Sequence, residues 1–149
     1  RLAVPVYNDK ETYTFEFGKG ITLRDGKDVT IVASGLTVDM SVEAAKLLEA
    51  EGISARVINI HTIKPIDKDI LVKAAKETGA IVTAEEHSVI GGLGSAVCEV
   101  LAETCPVPVT KVGVKDAFGR SGKVPPLLEM YGLTAADIVA KAKEAIALK

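Results

Sequence analysis

The 149 residues suit one domain, and a chain of that size buries roughly 68–70% of the surface its unfolded form exposes, so one full hydrophobic core is expected. With Lys plus Arg at 18, Asp plus Glu at 20 and aromatic residues at 4%, there is neither a positive excess nor a stacking surface for nucleic acid. No apolar run approaches the ~18–20 residues of a membrane helix, and the N-terminus lacks the apolar core of a signal peptide, which predicts a cytoplasmic chain.

Residues 1–19 mix Val4, Pro5, Tyr7, Tyr13, Phe15 and Phe17 with charges outside any helical pattern. This segment reads as an arm or interdomain linker from a preceding domain, or as an arm folded back on its own core; residues 20–149 read as the domain proper. The chain begins at Arg1 without an initiator Met, which fits a piece of something longer. Ile21-Thr22-Leu23 alternates like a half-buried strand and closes on Arg24-Asp25-Gly26-Lys27, an Asp-Gly turn signal. Val29 to Ala33 is an apolar, β-branched strand, opposite in direction to the first. The spacing then predicts a helix over 38–51 ended by Gly52, a strand over 55–59, and a loop over 61–67. In that loop Pro65 blocks helix and Asp67 can cap the next one, over 68–78, which stops at Gly79.

The most informative stretch runs from Ala80 to Val97. A short apolar strand over 81–85 ends in Glu85-Glu86-His87, turns through Gly91, Gly92 and Gly94, and enters a helix whose Leu93, Val97, Val100 and Leu101 share one face. Side chains that meet ligands in parallel sheets lie at strand carboxyl ends beside helix N-termini. An anionic group from a substrate or partner would be welcome at this turn; alternatively, the glycines serve tight packing and the acids face water. Residues 109–114 form the last strand, 115–124 a loop, Pro125 to Tyr131 a short helical turn, and Thr134-Ala135-Ala136-Asp137 an acidic capping box opening a final helix.

Strand and helix in alternation imply an α/β fold, a parallel sheet with helices on both faces. If the 29–33 strand lies between 55–59 and 81–85, the winding reverses beside Ser34-Gly35 and Glu86-His87, and a ligand or partner would approach that crevice. Other chemistries lack support. Gly92-Leu93-Gly94-Ser95-Ala96-Val97 puts Val where a dinucleotide fingerprint needs Gly or Ala, and no GxxxxGK[ST] loop occurs. Glu85 and Glu86 point to opposite faces of an extended strand, so only one can join His87 in a metal cluster, and His61 joins only if two loops meet. No GxSxG elbow supports a serine triad. Cys98 and Cys105 form no CxxC pair, and Cys98 reads as core packing.

Arg1-Leu2-Ala3-Val4-Pro5, Phe17-Gly18-Lys19-Gly20, the run Gly26 to Gly35, Ile63-Lys64-Pro65-Ile66-Asp67, and Glu85-Glu86-His87 with Gly91-Gly92-Leu93-Gly94 together resemble the C-terminal domain of transketolase, most closely the C-terminal half-subunit of split transketolases. Related domains end deoxyxylulose-phosphate synthases and 2-oxoacid dehydrogenase β subunits. The resemblance implies a three-layer α/β/α domain with a five-stranded, mostly parallel sheet whose first strand is antiparallel. It further implies transfer of a two-carbon ketol unit between sugar phosphates, with thiamine diphosphate and Mg bound by other domains and none by this fragment. The isolated chain is then expected to be inactive, contributing assembly, homodimer contacts and regulation beside the thiamine-binding domains or subunit. Arg1 matches the phosphate-binding arginine of the family's Arg-Gln-Asn-x-Pro segment, a task its planar fork suits, although Leu2-Ala3 departs from the pattern. Glu86 and His87 join Arg1 as candidate substrate-binding residues; no catalytic role carries over to them. The reading of a different class is a free-standing module that holds an anionic metabolite in the Ser34-Gly35 and Glu86-His87 crevice.

Overall fold

β2 (Val29–Ala33) is buried along its whole length, as a strand must be that has sheet neighbours on both edges and helices on both faces. The computed structural model describes residues 14–149. Around β2 the order is β1-β3-β2-β4-β5, with β1 (Ile21–Arg24), β3 (Ala55–Asn59), β4 (Ile81–Ser88) and β5 (Val109–Val114). Every neighbouring pair is parallel except β1 and β3, where Ile21 stands opposite Asn59. The expected α/β/α architecture with an antiparallel first strand is therefore present.

The first two strands are not neighbours, a point their sequence left open. Lys27 and Asp28 donate their N–H groups to the Ser54 carbonyl, and the Asp28 carboxylate accepts from Ser54 N at 2.7 Å, so the connection runs across the start of β3. Gly26 makes that passage sterically possible: a β-carbon there would overlap the Ala55 carbonyl carbon. β3 is thereby seated between β1 and β2.

The helices are α1 (Thr37–Ala50), α2 (Lys68–Thr78), α3 (Leu93–Thr104), α4 (Val124–Met130) and α5 (Ala135–Ala147). One core joins β2, β3 and β4 to α1 and α5 through Ile31, Val57, Val82, Leu48 and Ile138. A second core, on the opposite face, packs Val32, Ile58 and Ile81 against Leu71 of α2 and Val97 and Leu101 of α3. This split follows from the period of two along each strand, which sends alternate side chains to opposite faces. Local signals set the helix ends: Asp67 accepts from Ile70 N, Gly79 takes a left-handed φ of 68°, and Thr134 with Asp137 closes a reciprocal capping box. Cys98, expected in the core, is only half-buried, because the buried face of α3 is carried by Val97, Val100 and Leu101. Among the described residues no helix is long and apolar enough to cross a membrane.

Of the segment read as an arm, residues 14–19 fold back onto the loop after β3. Gly18 N donates to Thr62 Oγ1 at 3.3 Å, Gly20 N to Asp67 Oδ2 at 3.0 Å, and the Phe15 ring lies 4.7 Å from that of His61. Arg1 and the rest of the segment lie outside the described residues.

Candidate functional site

Because β2 sits between β3 and β4, the chain winds one way from β2 to β3 and the other way to β4, and the crevice opens over the carboxyl end of β2. Two contacts fix its floor. Ser34 N donates to the Ala84 carbonyl at 3.2 Å, and Thr37 Oγ1 donates to the same carbonyl at 2.7 Å while standing 2.9 Å from the Ser34 carbonyl. A hydroxyl has one proton, so the shorter contact is the hydrogen bond that ties the start of α1 to β4. Gly35 holds a φ of 60°, and a β-carbon on it would stand 3.5 Å from Glu86 Oε1. The structure thus brings Ser34-Gly35 and Glu86 together, as the strand order demands.

The acidic turn itself is a bulge. Ala84 pairs with Val112 and Ser88 with Val114, leaving Glu85, Glu86 and His87 opposite Gly113 alone. A side chain on Gly113 would crowd the bulge, since a β-carbon would come within 2.9 Å of the His87 carbonyl oxygen and of Val89 Cγ1. Glycine within a strand is the sequence signal for such a feature. The bulge prolongs β4 to Ser88, beyond the predicted end at residue 85.

Glu85 and Glu86 do point to opposite sides, with opposite consequences. Glu85 is 2% exposed. Its Oε2 accepts from Leu93 N at 2.7 Å and its Oε1 from Gly94 N at 2.9 Å, so a carboxylate of the chain's own occupies the N-terminus of α3. The expectation of an external anion at that turn is corrected here. Two of the donors that would have received it, the N–H groups of Leu93 and Gly94, are already paired. The alternative reading holds for Gly94, which packs on the sheet, and for Glu86, which is exposed, but not for Glu85, which does not face water. Gly92 serves this internal carboxylate, since a β-carbon on it would overlap Glu85 Oε2, whereas Gly94 lets α3 pack on the sheet, since a β-carbon on it would stand 2.7 Å from Thr83 Oγ1 and 2.8 Å from Lys111 Cδ.

Glu86 and His87 are exposed at the crevice. The His87 ring contacts the carbonyl of Ser88, with Nδ1 at 3.2 Å, and among the described residues no serine hydroxyl or carboxylate is hydrogen-bonded to it as a triad would require. His61 turns to Thr62 Oγ1, 3.0 Å from Nδ1, and to Phe15. Among the described residues no group of three His, Cys, Asp or Glu side chains could hold a metal ion. A groove of about 550 Å³ lies on the far side of α3, between Ile63, Lys64 and Pro65 of one loop and Gly91, Ser95 and Glu99. Glu86 and His87 do not line it.

Thiamine diphosphate with Mg is the cofactor that the sequence resemblance brings to mind, and the described residues do not fit it. A diphosphate needs free backbone donors and its metal needs several converging oxygens. The α3 terminus is filled by Glu85, and the carboxylates here do not converge.

Comparison with known proteins identifies the family and matches the fold. The family model for the C-terminal domain of transketolase matches residues 18–138. The 6-deoxy-6-sulfo-D-fructose transketolase subunit of Clostridium sp. (strain MSTE9) is 51% identical over 91% of this chain and 42% of its own length. The 1-deoxy-D-xylulose-5-phosphate synthase of Heliobacterium modesticaldum is 48% identical over 95% of this chain and 22% of its own. A solved split-gene transketolase, an inactive β4 tetramer, superimposes with a TM-score of 0.93 at 57% identity, over 98% of this chain and 47% of that one. The chain therefore spans less than half the length of each of these relatives.

Proposed function

Because the chain belongs to the transketolase C-terminal domain family, we propose that it is the C-terminal domain of a split-type transketolase that moves a two-carbon ketol unit between sugar phosphates. Its own share is assembly. Thiamine diphosphate and Mg are bound by the thiamine-binding domains or subunit of the same enzyme, which works in the cytoplasm as a homodimer with this domain adding contacts. Arg1, Glu86 and His87 face substrate only in that assembly, Arg1 as a phosphate ligand and the other two at the crevice mouth.

The observation that carries this reading is the Glu85 carboxylate seated on α3. Where an α/β domain would offer the N–H groups of Leu93 and Gly94 to a phosphate, α3 gives them to Glu85, which supports a role in assembly over one in coenzyme binding. Calorimetry tests it directly. Titrating thiamine diphosphate and Mg²⁺ into the 149-residue chain is expected to give no binding heat and no ketol transfer from a ketose phosphate, while the parent enzyme shows both. Saturable heat from this chain alone overturns the proposal.

The 48% identity to a deoxyxylulose-phosphate synthase favours a second parent reaction. Assaying the parent for both products separates the two.

A further inference from the structure

The groove on the far side of α3 is a separate concavity from the crevice, since none of Ser34, Gly35, Glu86 and His87 lines it. Its volume of about 550 Å³ falls within the roughly 300–1,000 Å³ of small-molecule sites. The two walls come from different elements and carry opposite charges. Lys64, in the loop after β3, and Lys68, in the first turn of α2, stand on one wall. Glu99 and Glu103, one turn apart on the same face of α3, stand on the other. Ile63, 41% exposed, and the nearly buried Val100 add an apolar lining.

These four charges do not neutralise one another. Among the described residues Lys64, Lys68, Glu99 and Glu103 form no ion pair. Elsewhere opposite charges brought together by the fold do pair: Arg24 with Glu49 at 2.7 Å, Arg56 with Glu77 at 2.6 Å, and Lys143 with Glu51. The groove thus holds two cations and two carboxylates apart, and both sets are free to meet something seated between them.

The walls are set before anything binds. Asp67 caps α2 through Ile70 N and accepts from Gly20 N, which fixes the loop that carries Lys64. Opposite it, Glu85 holds the start of α3, and Ser95 Oγ accepts from Gly91 N at 2.9 Å. A site already in its bound shape loses less order when a ligand enters.

Charge then decides the class of ligand. A polyanion gains from the lysines and is repelled by the glutamates, a diamine meets the reverse, and a neutral molecule answers neither wall. A molecule with an ammonium at one end of an apolar body and a carboxylate at the other answers both. We infer that this groove binds a small amphoteric ligand, of the size and form of a free tripeptide, with its carboxylate toward Lys64 and Lys68 and its ammonium toward Glu99 and Glu103. The inference goes beyond the proposed ketol transfer and does not rest on it.

The test titrates the tripeptide Ala-Leu-Ala into the ¹⁵N-labelled 149-residue chain, beside two forms of the same peptide, one N-acetylated and one C-amidated. The free peptide is expected to move amide resonances within residues 63–68 and 91–103 saturably. Each blocked form is expected to bind about fivefold more weakly, the upper range for losing one exposed ion pair. Glu99→Gln together with Glu103→Gln is expected to weaken the free peptide by about the same factor and not to weaken the acetylated one, because the ammonium is the group those carboxylates meet. Lys64→Gln together with Lys68→Gln is expected to treat the free and amidated peptides in the same way. All four side chains are exposed, so the substitutions leave the fold intact, and the blocked peptides test the idea on the unaltered chain. No saturable shifts, equal affinity for free and blocked peptides, or a glutamate double substitution that weakens the acetylated peptide as much as the free one overturns the proposal.

Discussion

A β-carbon on Gly92 would overlap Oε2 of Glu85, so the glycine and the buried carboxylate are built around each other. Gly92→Ala must push the carboxylate off Leu93 N or shift the start of α3. We expect a loss of about 1–3 kcal/mol, the usual range for forcing extra volume into a packed site. Urea denaturation monitored by circular dichroism measures it; an unchanged midpoint would mean that the loop moves aside freely.

Glu85 answers for two backbone donors at once. Glu85→Ala leaves both buried and unpaired, at about 1–3 kcal/mol for an unsatisfied group, with a cavity term added. Glu85→Gln is expected to cost less, because its carbonyl oxygen still accepts one bond while its amide turns a donor toward the other. Equal stabilities for the two variants would show that the carboxylate is not what holds α3.

Thr37→Val removes the hydroxyl bonded to the Ala84 carbonyl with little change in shape. The carbonyl keeps its bond from Ser34 N, so the loss of one of its two hydrogen bonds predicts about 0.5–1.5 kcal/mol of destabilisation. Amide exchange at Ser34 reports locally, since its N–H shares that carbonyl and faster exchange is expected.

The fold was legible because its signals are local and agree with one another. The buried β2, the Asp67 cap, the Gly79 stop and the Thr134 box each follow from residue chemistry within a few positions. The winding reversal beside Ser34-Gly35 followed from strand order, and the structure puts Glu86 there. What the sequence obscured are relations across the chain. Nothing near Glu85 says that its side chain turns inward to Leu93 and Gly94, since Glu86 has the same chemistry and stays in water. Gly113 carried a usable signal, a glycine inside a strand pattern, and only its pairing reveals that it faces three residues of β4. Thr37 carried none, its partner Ala84 being 47 residues away.

Asp67 joins the chain's entry to the domain. It caps α2 through Ile70 N and also accepts from Gly20 N. Asp67→Ala is expected to lower stability by about 0.5–2 kcal/mol, as loss of a helix cap does. Asp67→Asn should recover most of the cap, because Asn caps about as well as Asp. Amide exchange at Gly20 distinguishes the two roles: Asn has one acceptor oxygen for two donors, so protection at Gly20 is expected to be lost in both variants while the Asn variant regains the cap.

Glu86 and His87 give the sharpest test of what the crevice is for. Both are exposed, and His87 contacts only the Ser88 carbonyl among hydrogen-bond partners of its ring, so His87→Ala should change stability by less than about 0.5 kcal/mol. If the domain is a free-standing receptor for an anionic metabolite, titrating a sugar phosphate into the 149-residue chain must move amide resonances near residues 34–35 and 86–95. We expect no such shifts, because Glu85 holds the N–H groups of Leu93 and Gly94 and the exposed Glu86 carboxylate repels a phosphate at that mouth. In the parent enzyme the same His87→Ala change is expected to raise KM for the sugar phosphate and leave kcat near its starting value, the mark of a side chain that binds substrate and transition state alike. Saturable shifts in the isolated chain, abolished by His87→Ala, would reverse the assignment and make this edge a metabolite site in its own right.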